Sequence, residues 1–389
     1  MSDGRMRLAV ALVVVVAVGV PAAPTPAATS PPVAVSVSSG GHHTCSLVAS
    51  GGVKCWGNNY YGELGDGTGK DSKTPVGVSR LPSGATAISA GYGHACALTP
   101  GGGVKCWGEN GSGQLGDGTT ASYREAPVDV SGLSGEATAI AAGGWHTCAM
   151  VAAGGVKCWG NNTYGQLGDG TRTNRYAPVE VSGLSSGVAS ISAGRYHTCA
   201  LMVTGGVKCW GRNVEGQLGS GGAKRWRTTP AGVTGLTSGV AEVSAGGWHT
   251  CALLRLGGLG CWGANSYGQV GDGTTTRRRV PTRVSGLWGG VAAVSAGSWH
   301  TCALMDMGGV MCWGNNAYGR LGDGTTTERH APVDVSHLSS GAATISAGTA
   351  HTCALMDVGG VMCWGYNAYG QLGDGSRQNR LTPVDVHFR

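Results

Sequence analysis

Fourteen cysteines stand in seven pairs, ten residues apart within each pair: Cys45 and Cys55, Cys96 and Cys106, Cys148 and Cys158, Cys199 and Cys209, Cys251 and Cys261, Cys302 and Cys312, Cys353 and Cys363. Cysteines in such numbers can form disulfides, ligate metal, or pack as small apolar thiols. A histidine precedes each first cysteine by two positions: His43, His94, His146, His197, His249, His300 and His351. Residues two apart on a strand share a face, so a His/Cys/Cys zinc site per copy is conceivable. The spacing matches no common zinc motif, and a structural histidine bonded to backbone groups at a turn is the expectation. Single acids recur between glycines at Asp66, Asp117, Asp169, Asp272, Asp323 and Asp374, with Ser220 in the fourth copy. Calcium needs several oxygens converging on one point, whereas a lone Asp between glycines is an ordinary turn residue. The sequence therefore implies no metal and no cofactor. No nucleophile–base pair stands out, and no catalytic residue is assigned.

Recognition chemistry is better signalled, where a fixed frame varies. Between a recurring Ala-Gly and the histidine stand Gly41-His42, Tyr92-Gly93, Gly144-Trp145, Arg195-Tyr196, Gly247-Trp248, Ser298-Trp299 and Thr349-Ala350. A second loop, after each Cys-Trp-Gly, adds Tyr61, Tyr164, Tyr267, Tyr318 and Tyr369, with Ser112 and Glu215 in the second and fourth copies. Aromatics on rigid loops offer contact area at little entropic cost, as binding faces require. The candidate binding residues are thus His42, Tyr92, Trp145, Arg195, Tyr196, Trp248 and Trp299 with the five tyrosines. The alternative is that they only plug a channel mouth. Gly222-Ala-Lys-Arg-Trp-Arg227 and Arg277-Arg-Arg279 form one basic side, which biases the ligand toward acidic groups or is a solvated rim.

The elements that must position these groups come from one repeat. Cys-Trp-Gly occurs seven times at intervals of 51 or 52 residues. Each copy holds four short β-favouring runs separated by Gly-rich turns, without helical periodicity. Four strands per repeat of roughly 40–50 residues build propeller blades, so residues 33–389 are expected to form an all-β, seven-bladed propeller of four-stranded antiparallel blades. The first loop joins strands one and two and the second joins strands three and four, so both emerge on one face. Each cysteine pair flanks a Gly-Gly hairpin and should face across it, about 4.5 Å apart at Cα, close enough for an intrablade disulfide. The last strand, Thr382-Pro-Val-Asp-Val386, either completes the seventh blade or pairs beside the first.

The start of the chain reads as an address. Arg5 and Arg7 precede an apolar run from Leu8 to Val20, then small residues and prolines. That order is a secretory signal followed by a linker over 1–28, cleaved after Ala22, Ala23 or Ala28; a retained membrane anchor is the alternative. Export to an oxidising compartment favours disulfides over thiols or metal. The formal charge of +6 is too small to argue for nucleic acid. The mature chain is expected to be an extracellular monomer, off the membrane once the signal leaves.

The strings Ser-Ala-Gly-x-x-His-Thr-Cys-Ala-Leu, Cys-Trp-Gly-x-Asn and Tyr-Gly-Gln-Leu-Gly-Asp-Gly resemble the regulator of chromosome condensation repeat across residues 34–389. The resemblance implies a seven-bladed propeller. The founding member of that family is a nuclear exchange factor for a small GTPase. Its secreted bacterial members include a propeller-type β-lactamase inhibitor that binds through aromatic loops on one face. The signal segment and cysteines depart from the nuclear pattern. The expected function is binding, first of a protein, then of a glycan as a lectin-like module. A polysaccharide-active enzyme and guanine-nucleotide exchange are remoter alternatives.

Overall fold

The computed structural model describes residues 33–81, 84–133 and 135–388; the signal segment and linker expected at 1–28 lie outside the described residues. The chain folds into seven four-stranded antiparallel sheets, each made of four consecutive strands in sequence order. The first blade comprises Ala34–Ser39, His43–Val48, Val53–Gly57 and Ser72–Gly77; the seventh comprises Ala342–Ala347, His351–Met356, Val361–Gly365 and Arg380–Asp385. The architecture is the expected seven-bladed propeller. Arg380–Asp385 pairs with Val361–Gly365 of its own blade, so no strand is exchanged and the seventh blade is complete. The first and seventh blades meet by packing instead. Phe388 lies edge-on to Trp56 with ring centroids 5.8 Å apart, and the Ala34 amide donates to the Gly359 carbonyl at 3.0 Å.

Seven intrablade disulfides form, from Cys45–Cys55 through Cys353–Cys363, and none of the described cysteines is left as a thiol. Cys353 stands directly opposite Cys363 in the hairpin register, with Cα atoms 4.1 Å apart. Closing a loop of about ten residues is worth roughly 2–3 kcal/mol in the chain-entropy model.

The apolar core lies between blades. In one layer Cys96, Leu98, Leu115 and Leu133 of the second blade meet Ala149 and Trp159 of the third. Trp159 is wholly buried, and its indole N–H donates to the Gln114 carbonyl of the preceding blade at 3.0 Å. The same tryptophan recurs fully buried in every blade, which explains the constancy of Cys-Trp-Gly.

The histidines correct one expectation. Their partner is not a turn but the next blade. Nε2 of His94 meets Oγ1 of Thr147 at 2.8 Å, and the Thr147 hydroxyl donates its only proton to the Gln114 carbonyl at 2.8 Å. The imidazole must therefore donate from Nε2, which leaves Nδ1 bare and unpartnered. This His–Thr–carbonyl relay recurs at six seams and closes the ring through His351 and Thr44. The first seam lacks it. Ala95 stands where the other blades carry Thr, and neither ring nitrogen of His43 has a partner. Burial pushes the His43, His94 and His146 imidazoles down to about 3, so they pack as neutral rings.

Candidate functional site

The frame that displays the variable residues is rigid for identifiable reasons. At the channel mouth, seven backbone bonds run from each blade to the next. The amides of Gly41, Tyr92, Gly144, Arg195, Gly247, Ser298 and Thr349 donate to the carbonyls of Gly91, Gly143, Gly194, Gly246, Gly297, Gly348 and Gly40 at 3.0–3.2 Å. Glycine is required beside each donor, because a Cβ on Gly40 would come within 2.5 Å of the Gly91 carbonyl. The second loop is clamped by the buried asparagine of Cys-Trp-Gly-x-Asn. Asn162 accepts the Leu167 amide at 3.0 Å and donates to Asp169 at 3.0 Å.

The turn acids serve the same loop. Asp169 accepts from Thr171 and pairs with Arg175 at 2.7 Å. Burial alone would raise the Asp169 carboxyl, but the bonds from Thr171, Arg175 and Asn162 together hold it below its usual range. Equivalent Arg–Asp pairs occur at Asp117, Asp272, Asp323 and Asp374, so each acid is occupied as a turn residue. Among the described residues no group of three or more His, Cys, Asp or Glu is arranged to hold a metal ion.

On this frame the loop aromatics join into one arc. His42, Tyr92, Trp145, Tyr196, Trp248 and Trp299 follow one another with ring centroids 5.9, 5.1, 4.9, 5.7 and 5.6 Å apart. Trp145 and Tyr196 stack nearly parallel, at 20°. All six rings are half-buried, so they neither fill a closed plug nor stand clear in solvent. Three second-loop tyrosines abut the arc: Tyr164 on Tyr196, Tyr267 on Trp299 and Tyr369 on His42. Tyr318 reaches it through Tyr366, which lies 5.9 Å from His42. Tyr61 is not brought in; it meets exposed Tyr60 instead. The arc stops at the seventh blade, where buried Ala350 occupies the ring position.

Arg195 sits in the bend of the arc. Its guanidinium carbon lies 5.0–5.1 Å from the ring centres of Tyr92, Trp145 and Trp248, and 5.8 Å from that of Tyr196. Arg195 is also among the small and backbone-bonded residues of the mouth that line an open cavity of about 120 Å³. Arg212 covers the far side of Trp248 at 4.5 Å. Glu109 lies beside Trp145; burial raises its carboxyl above the usual range against a bond from the indole.

The second basic segment is partly neutralised. Arg277 pairs with Glu215 at 3.2 Å and Arg278 with Asp272 at 2.6 Å, while Arg172 covers half-exposed Trp226 at 4.7 Å. Sequence reasoning overlooked Glu109, Arg212 and Tyr366. All three occupy the x of Cys-Trp-Gly-x-Asn, a position as variable as those in the first loop and therefore visible as a signal. It also overlooked Glu63 and Arg320, buried where the other blades carry Gln. Burial raises the Glu63 carboxyl to about 7 and lowers Arg320 to about 10. On the opposite face, Leu256, Met307 and Val358 project from the hairpin tips of three successive blades, each more than four-fifths exposed.

Comparison with known proteins agrees with this architecture. The regulator of chromosome condensation (RCC1) repeat matches residues 50–98, 102–150, 153–201, 204–253, 257–304, 307–355 and 359–389. The chain is 34% identical over 317 residues to the ultraviolet-B receptor UVR8 of Arabidopsis thaliana, covering 80% of this chain and 72% of that protein. It is 32% identical over 326 residues to the human E3 ubiquitin-protein ligase HERC2, but spans only 7% of that protein's length. Among solved structures, yeast RCC1 (Prp20) bound to Kap60 superposes with a TM-score of 0.76 at 23% identity, covering 86% of this chain and 83% of that one. Seven matched repeats and a relative aligned over most of both chains place this protein in the RCC1 repeat family.

Proposed function

We propose that the chain is a secreted binding protein that engages a protein partner through its aromatic face. The observation that carries this reading is the arc itself: six half-buried rings in unbroken contact across six blades, held on a backbone-bonded frame. Side chains on such a frame lose little entropy when a partner docks, which suits them as anchors. The arc follows a curve and its rings lie at differing tilts, a shape that matches an uneven protein surface better than the flat stacking a sugar seeks. Relatives supply context. The yeast family member is described in complex with Kap60, and as binding Gsp1p and histones, all proteins. Disulfides in every blade fit an oxidising compartment, and the apolar run at Leu8–Val20 supports export.

The test uses the immobilised, disulfide-intact chain against the producing organism's extracellular proteins and, in parallel, a glycan array. Photo-crosslinking groups at positions 145 and 299 should capture a protein. Trp145→Ala and Trp299→Ala should lose it while costing no more than about 1 kcal/mol of stability. Glycan binding without protein capture would replace this reading by the lectin-like one. Crosslinking only from the opposite face would remove the aromatic face from consideration.

A further inference from the structure

We propose that Arg195 receives a carboxylate, so that the partner inserts one Asp or Glu side chain at the mouth of the channel. The inference deepens the preceding reading and rests on it. Three observations carry it. Arg195 is the only cation among the seven residues that donate to the mouth ring, in a frame where the others are Gly, Tyr, Ser or Thr. Its Nε is buried without a partner, and among the described residues no carboxylate pairs with its guanidinium. Two further buried donors beside the same rings are orphaned, Trp248 Nε1 and Arg212 Nη1, and Arg195 and Arg212 both contact the Trp248 ring.

Buried donors left without acceptors are costly, and in native proteins they call for an explanation. Ring faces offer a guanidinium no lone pairs, and the Tyr196 hydroxyl that bonds to Arg195 still leaves Nε without an acceptor. A carboxylate supplies what is missing: two acceptor oxygens in the plane of the guanidinium fork. Nearby acids do not fill the role. Glu215 is held by Arg277 and Arg212, and Glu109 accepts from Trp145. The mouth beside it is open and lined by backbone and small residues, which leaves room for an acidic side-chain tip. The protein partner proposed above is why an acidic protein segment is chosen here over an acidic glycan.

The experiment works with the partner still unidentified. A phage library of random heptapeptides is selected on the disulfide-intact chain at physiological salt, where nonspecific charge attraction is screened. The same selection is run on Arg195→Gln and on Trp145→Ala. Enriched peptides are synthesised with each Asp changed to Asn and each Glu to Gln, and oligogalacturonate serves as the acidic sugar probe. Wild type should enrich one acid at a fixed position, and its amide counterpart should bind roughly tenfold more weakly or worse. Arg195→Gln should bind acid and amide peptides alike while keeping its seven disulfides and melting behaviour; Arg195→Lys should retain part of the preference.

Peptides enriched with no acidic position, yet lost on Trp145→Ala, would overturn the carboxylate site and leave the aromatic face standing. An acid preference that survives Arg195→Gln would overturn it too. Oligogalacturonate binding that depends on Arg195, without peptide binding, would overturn the assignment to a protein segment. No binding of any probe would remove both readings together.

Discussion

The incomplete seam between the first two blades makes a sharp test of what holds the ring. Ala95→Thr installs the missing member of the relay. By analogy with Thr147, its hydroxyl would donate to the Glu63 carbonyl and accept from His43 Nε2. Two neutral hydrogen bonds contribute about 0.5–1.5 kcal/mol each, and satisfying the buried imidazole N–H removes a penalty of about 1–3 kcal/mol. Threonine is also a good strand residue, and the same side chain is accommodated wholly buried at the six other seams. Ordering the hydroxyl and any residual crowding at Ala95 oppose this, so the expected net gain is about 1–3 kcal/mol.

The assay is guanidinium unfolding of the oxidised protein, with hydrogen exchange across the first two blades as the local readout. The mirror variant is Thr147→Ala, which recreates the defect one seam along and should cost about the same amount. Exchange should slow in the first two blades for Ala95→Thr and quicken in the second and third for Thr147→Ala. If Ala95→Thr lowers the midpoint while Thr147→Ala leaves it unmoved, the relay does not hold the blades together and the role given to the histidines is wrong.

Other expectations can be checked alongside. Trp159→Ala should cost about 3–5 kcal/mol as a core cavity, whereas Trp145→Ala and Trp299→Ala should stay near 1 kcal/mol or below because their rings are half solvated; equal losses in thermal melts would make the loop rings packing residues. The Glu63 carboxyl is raised to about 7 by burial, so the stability it contributes is full below the unfolded value near 4.5 and lost as pH rises through 7; Glu63→Gln should stabilise by about 1–3 kcal/mol at pH 8 and little at pH 4, and equal effects at both would contradict the shift. The histidines run the opposite way. Their folded values lie below the unfolded one, so stability falls as pH drops from about 6.5 toward 3. Unfolding near pH 5 should take up a proton at each histidine and release one at each of Glu63 and Glu242, roughly five net by titration. Peptide mapping without reduction should link Cys45 to Cys55 and so on within blades; links between blades would refute the disulfide pattern.

The fold was legible because its determinants are local and repeated. Cys-Trp-Gly marks the third strand, the ten-residue offset fixes the hairpin register, and glycines mark the turns. None of these depends on which blade lies beside which. What went unread is relational. The histidine looked like a turn residue because its acceptor, Thr of the next blade, lies 52 or 53 residues further on in examples such as His146–Thr198 and His94–Thr147. Ala95 drew no reading from the sequence for the same reason: its meaning depends on His43. Ring closure was undecidable from spacing, since completing the seventh blade and pairing beside the first present the same strand pattern.

The candidate site shows the same division more sharply. Variation within a fixed frame located both loops, and nearly all the aromatics named there do meet. It could not show that Tyr61 would turn away toward Tyr60, nor that Arg195 would reach back two blades to Tyr92. Those outcomes depend on side-chain direction across the channel mouth, which a repeat pattern does not encode. Function in a repeat protein resides in such departures. Seven equal blades impose a symmetric mouth, and a symmetric mouth cannot distinguish one side of a ligand from another. Arg195, Glu109, Arg212 and the gap at Ala350 break that symmetry on one face only. Meanwhile the tryptophans, disulfides and glycines that hold the blades remain regular. Stability is thus carried by what repeats, and selectivity by what does not, which is why replacing Arg195 should change what binds without changing whether the ring stands.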